Sequence, residues 1–208
     1  MSNNKIFKKN LSITHNTNHH NLKNIKIFGF WIYLMSDCLI FATLCSVYIL
    51  LKNNISNGPT IDNIYKLPYI FIETILLLCS SITYSIALKY IFPITIKNKN
   101  KKKINIWLVL TAILGFNFVY METQEFYDLI IQGYGPNKSA FLSSFFTLLG
   151  THNLHMISGI IWIIIMITQI HYYGLTTNNQ IRLQCLGLFW HFLDIIWLII
   201  ITIVYLLK

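Results

Sequence analysis

From Leu183 to Leu207 the chain is apolar for long enough to cross a bilayer, yet this run carries His191 and Asp194 near its centre. At ~1.5 Å of rise per residue the two side chains lie ~12 and ~17 Å into a hydrocarbon layer ~30 Å thick, and their i, i+3 spacing sets them on one helix face. An ionisable side chain at that depth costs ~2.5 to 3.5 kcal/mol on insertion scales. That face must therefore meet protein or internal water, and the rest of the chain must supply the covering helices.

Four further apolar runs answer this requirement, so the sequence predicts an all-α, polytopic membrane bundle of five transmembrane helices at about residues 27–51, 68–92, 104–127, 139–170 and 183–207. These form one membrane domain, 27–208, behind a polar, Asn-rich tail over 1–26 that is expected to be disordered. With 55% hydrophobic and 11% charged residues the chain falls outside ordinary soluble domains. A net charge of +9 would suit nucleic acid, but the lysines gather in the tail and in the loop 94–103, so no nucleic-acid partner is expected. Twelve of the 16 basic residues fall on the side of the amino terminus and four (Lys52, Lys66, Lys138 and Lys208) on the other. That bias predicts a cytoplasmic amino terminus and a periplasmic carboxyl terminus. No cleavable leader and no internal repeat are read from the sequence. Cys38, Cys45, Cys79 and Cys185 lie in apolar segments without metal-ligand spacing and read as reduced core residues.

The polar residues inside these runs are the candidates for function. Asp37 lies ~15 Å into the first helix, and Glu73 only ~8 Å into the second, where an interfacial carboxylate reaching water and a buried one are both open. Glu122 and Glu125 share a face near the predicted end of the third helix; a hydrogen-bonded or solvated helix end is favoured there over an acid–base pair. His152 and His155 share a face of the fourth helix. With His191 they could place two axial ligands on a b-type haem, and with Asp37 and Asp194 they could form a proton relay of a transporter. The plainer reading is that Asp37, His155, His191 and Asp194 hydrogen-bond between helices and fix their packing. His19 and His20 in the tail lack a third fixed ligand. No phosphate-binding glycine loop, HExxH motif or serine nucleophile motif is present.

Taken together, the strings GFWIYLMSD (Gly29–Asp37), GTHNLH (Gly150–His155) and WHFLDIIW (Trp190–Trp197), with the Glu125, Phe126, Tyr127 pattern, resemble subunit III of the haem-copper respiratory oxidases. The likeness runs from about residue 26 to the end, and the five-helix form is most similar to the cytochrome o ubiquinol oxidases of bacteria. The resemblance implies a non-catalytic subunit of a proton-pumping terminal oxidase in the bacterial inner membrane. It implies no haem, copper or other metal in this chain, haem and copper in the large catalytic subunit against which it packs, and bound phospholipid. Seven-helix relatives usually carry glutamate where this chain has Asp37, and glycine where it has Asn153.

The charge bias makes a direct prediction about orientation. Reporter fusions at Lys101 should be active on the cytoplasmic side and fusions after Lys208 on the outer side. Opposite activity at both positions would overturn the helix count or the orientation.

Overall fold

A computed structural model describes the backbone of residues 2–52, 54, 67–90 and 99–206, and side chains over 24–52, 54, 68–90, 102–176 and 178–204. The chain folds into helices α1 (Ser2–Leu51), α2 (Leu67–Lys89), α3 (Lys99–Ile131), α4 (Ala140–Tyr173) and α5 (Thr177–Ile201), the last continued by a π-helical turn, Thr202–Leu206. Each contains a segment long and apolar enough to cross a membrane: Asn24–Leu51, Pro68–Lys89, Lys102–Ile131, Ala140–Tyr173 and Asn178–Val204. The five-helix, all-α expectation is thereby met. Within the tail the backbone is described as part of α1 from Ser2 on and side chains from Asn24 on, while Lys97 and the side chains of Lys99 and Lys101 lie outside the described residues.

Several boundaries move, for local reasons. Helix α3 runs on past Tyr127 to Ile131, so Glu122 and Glu125 sit within it and not at its end. Helix α5 begins six residues before the predicted 183, because Thr176 caps it: its hydroxyl accepts from the Asn179 N–H at 3.3 Å. Ser139 caps α4 likewise, accepting from the Leu142 N–H at 3.1 Å. Gly174 closes α4 at φ 71°, a backbone region that costs glycine nothing, and its N–H returns to the Ile170 carbonyl.

Helix α5 is the axis of the bundle: 50% of its membrane window is buried inside the protein, against 28–33% for the other four. It packs on α1, α2 and α4, while α3 packs on α2 and α4, and α1 on α4. One half of the core gathers around Trp190, with Tyr84, Leu108, Phe118, Ile163 and Leu186. A second cluster around Phe141 and Phe145 joins Phe41 and Tyr48 of α1 to Ile196 and Ile200 of α5. The outward faces are rows of exposed Ile, Leu and Phe such as Phe71, Ile113 and Ile161, as lipid contact requires. Cys45 and Cys185 are buried, but Cys38 and Cys79 are exposed, so only two of the four cysteines are core residues. The apolar runs locate them in the membrane without showing which way they face.

Polar side chains join the helices within this apolar frame. Trp190 donates its indole N–H to the Ser80 hydroxyl at 3.1 Å, Tyr84 donates to the Leu183 carbonyl at 2.7 Å, and the Thr83 and Thr111 hydroxyls meet at 2.9 Å. The Trp190 ring lies in a slot made by two glycines. A Cβ on Gly115 would stand 2.9 Å from the ring and one on Gly159 3.1 Å, whereas at Gly150 it would meet open space. Overpacking of this kind costs ~1 to 3 kcal/mol. Gly159→Val should therefore lower the thermal midpoint of the detergent-purified chain by several degrees while Gly150→Ala leaves it unchanged; equal behaviour of the two variants would show that the slot is not a constraint.

Candidate functional site

The acid and histidine residues do not converge on one centre. They form two acid–histidine pairs, one aromatic-boxed histidine and one group of carboxylates. His155 on α4 faces Asp37 on α1, with Nε2 3.8 Å from Oδ2. Its other ring nitrogen donates to the Thr151 carbonyl of its own helix at 2.8 Å, which fixes the ring and leaves Nε2 to the carboxyl. At 3.8 Å the contact is longer than a hydrogen bond. Asp37 is buried and the His155 side chain retains 20% exposure.

The second pair is intrahelical. His191 Nδ1 lies 3.6 Å from Asp194 Oδ2 on α5, one turn away. The imidazole reaches across to α2, where Nδ1 meets the Ser81 hydroxyl at 2.9 Å and Nε2 the Ser85 hydroxyl at 3.2 Å. Ser81 and Ser85 stand at i, i+4 on one face of α2, the spacing needed for two hydroxyls to bracket one ring. Neither serine is among the candidates that the sequence offers; their i, i+4 relation is the signal that could have found them.

His152, although one turn from His155, has a different environment. It is fully buried, stacks on Trp197 at 5.1 Å between ring centroids, and has Phe118 edge-on at 5.9 Å. Its Nε2–H donates to the Leu193 carbonyl at 3.4 Å. Asn153, next to it, is also buried and donates to the Thr123 hydroxyl at 3.4 Å, so the side chain added here ties α4 to α3. It borders an open groove of about 440 Å³ between those helices, lined by Thr123, Phe126, Gly150 and Leu154 among others.

The carboxylates at the other end of α2 and α3 bear on one open reading, Glu73, and revise one expectation, Glu122. Glu73 is 1% exposed, so it does not reach water from an interface, and Glu122 is fully buried in mid-helix rather than solvated at a helix end. Both lie within Coulombic reach of each other and of the half-buried Glu125. Neither oxygen of Glu122, nor Oε1 of Glu73, has a hydrogen-bond partner among the described residues. Depth counted from the start of an apolar run does not reveal this, because burial depends on which face α2 turns to α3.

The haem arrangement is not supported by this geometry. Each ring nitrogen of His191 is engaged with a serine, and His155 is turned to Asp37, leaving no opposed pair of free nitrogens among the described residues. Among the described residues no three His, Cys, Asp or Glu side chains come together in a metal-binding arrangement.

A five-helix membrane bundle with Asp37 facing His155 across two helices, and His191 and Asp194 paired on the central one, defines a multi-pass membrane protein. The chain belongs to the cytochrome c oxidase subunit III family, whose model matches residues 6–208. It is 42% identical over 207 residues to the cytochrome bo(3) ubiquinol oxidase subunit 3 of Pseudomonas aeruginosa, covering 97% of each chain. It is 48% identical over 186 residues to the protein of the same name from Buchnera aphidicola subsp. Baizongia pistaciae, covering 89% of this chain and 93% of that one. A cytochrome c oxidase subunit 3 from Bacillus sp. is 35% identical over 182 residues, 88% of this chain and 86% of the relative.

The Asp37 and His155 contact can be measured. A double-mutant cycle with Asp37→Asn and His155→Gln, read by unfolding in detergent, should give a coupling of ~0.5 to 2 kcal/mol, the range of polar contacts between membrane helices. Coupling indistinguishable from zero would show that the two side chains do not interact.

Proposed function

We propose that this chain is the accessory, non-catalytic subunit III of a terminal ubiquinol oxidase of a bacterial inner membrane, a complex that oxidises ubiquinol and reduces oxygen to water while pumping protons. The observation that carries the reading is the end-to-end match, 97% of both chains, to a protein named as ubiquinol oxidase subunit 3. A relative that matches along its whole length supports a shared place in such a complex. In this reading haem and copper belong to the large catalytic subunit, and this chain holds neither. Its work is to pack against that subunit, together with membrane lipid, with its amino terminus in the cytoplasm and its carboxyl terminus outside.

The roles of the polar residues follow from their partners. Asp37 with His155 joins α1 to α4, and His191 with Ser81 and Ser85 joins α5 to α2. His152 fills an aromatic box, and Asp194 accompanies His191. Glu73, Glu122 and Glu125 are proton-side or structural groups of the α2–α3 seam. A transporter or a b-type cytochrome would use the same residues, but the pairing of His155 and His191 with separate partners supports packing.

The test is purification of the complex through a tag on this chain. The large haem- and copper-bearing subunit should accompany it, and the chain expressed alone should show no Soret band. Asp194→Asn keeps shape and most hydrogen-bonding capacity, so the complex should assemble and consume oxygen, with a stability loss of about 1 kcal/mol. A stoichiometric haem in the isolated chain that disappears with His155 or His191 would establish the cytochrome reading instead. An Asp194→Asn complex that is intact but inactive in oxygen consumption would make that carboxylate a participant in turnover.

A further inference from the structure

His191 lies about 20 Å along the Asn178–Val204 membrane segment, the least polar depth available, yet 40% of its side chain is exposed on the outside of the bundle. The surrounding surface shows how it is placed. Residues of α5 turned to α2, such as Gly187 against Tyr84, and those turned toward α1, such as Ile196, which shares a core cluster with Phe41, leave an outward strip between them. The strip contains Leu188, His191, Ile195 and Leu198, which recur at the three- and four-residue steps of one helix face; Ile195 is 57% and Leu198 44% exposed. Ser81 and Ser85 of α2, both half-buried, border the strip at the level of the imidazole.

Lipid is a poor cover for this surface. A hydroxyl offers one donor and two acceptor positions, and Ser81 and Ser85 each use only part of that capacity on the imidazole. Asp194, beside them, has no hydrogen-bond partner for either oxygen among the described residues. An acyl chain would suit Ile195 and Leu198 but would leave the polar group between them facing hydrocarbon, and a lipid headgroup does not reach this depth. Ionisable side chains within spans face protein or a water-filled cavity. The exposed rows of α3 and α4 around Ile113 and Ile164 carry no ionisable centre of this kind among the described residues.

We infer that the α5 strip between α1 and α2 is the seat of a transmembrane helix from another subunit of the complex, one that brings a hydroxyl or amide side chain to the His191, Ser81 and Ser85 cluster. The apolar positions above and below take the body of that helix, and the cluster fixes its register, since a polar side chain at one depth has one place to go. The inference rests on the proposed membership in an oxidase complex and assigns the face by which the chain joins it.

Photo-crosslinking in the native membrane tests the assignment. A benzophenone amino acid is placed at Ile195 and, as a control on the far side, at Ile113, and adducts are identified by mass after purification through this chain. The Ile195 probe should give an adduct with a transmembrane segment of another oxidase subunit, several-fold more abundantly than the Ile113 probe. His191→Leu should reduce the fraction of complexes that keep this chain through detergent extraction by about three- to tenfold, and His191→Gln should restore most of it. If the wild-type chain brings down no oxidase subunit, the complex reading fails. If it does, but the Ile195 probe captures only lipid or a second copy of this chain, or captures the other subunit no better than Ile113, the assignment of this face is wrong. Because the crosslink is formed with His191 intact, poor insertion of the His191 variants would leave that result unchanged.

Discussion

The bundle depends on the placement of one indole. Trp190 projects from the central helix into a slot left by Gly115 on α3 and Gly159 on α4, and its N–H ends on Ser80 of α2. One side chain thus touches three helices besides its own. In a bilayer this arrangement has particular value, because helices gain little by withdrawing apolar surface from lipid and are held by close packing and hydrogen bonds instead. The glycines give the close approach; the serine satisfies the only donor that the large ring would otherwise bury unpaired. Tyr84 repeats the device nearby, its ring over Gly187 and its hydroxyl on the Leu183 carbonyl.

This construction distributes the ionisable residues held in the membrane over separate seams of the bundle. Asp37 and His155, and His191 with its serines, are engaged at separate seams, and His152 is enclosed by Trp197, Phe118 and Phe41. Residues that a depth count places in one layer are separated by the direction in which their helices turn them. Glu122 and Glu73 lack such a division of labour, and they sit together at the α2–α3 seam.

The architecture is legible in the sequence because the bilayer imposes a length on each span, and the five apolar runs meet it. Boundaries are legible where a cap adjoins the apolar run, as at Ser139, and are misplaced where the cap lies outside it, as at Thr176. The candidate site is legible in part. Asp194 and His191 can be paired from their spacing alone, since one turn of helix fixes their neighbourhood. Asp37 with His155, and His191 with Ser85, depend on rotation of one helix against another, which hydropathy does not encode. The burial of Glu122 escapes the sequence for a related reason: the polar residues after Tyr120 suggest a helix end where α3 in fact continues to Ile131.

The two acid–histidine pairs differ in what they can do mechanically, and the difference lies in their sequence separation. Asp37 and His155 belong to different helices, so their contact lies in the seam between α1 and α4. His191 and Asp194 belong to one helix, so their contact joins no two helices and bears only on the direction of the imidazole. An oriented ring is then available elsewhere, and α2 receives it through Ser81 and Ser85. Both acids are nearly buried, at 8% and 9%, but the interhelical pair leaves its histidine side chain 20% exposed and the intrahelical pair leaves its own 40% exposed. The same two residue types thus give an internal clasp at one place and a polar mark on the outer surface at the other, and the spacing of each pair along the chain determines which.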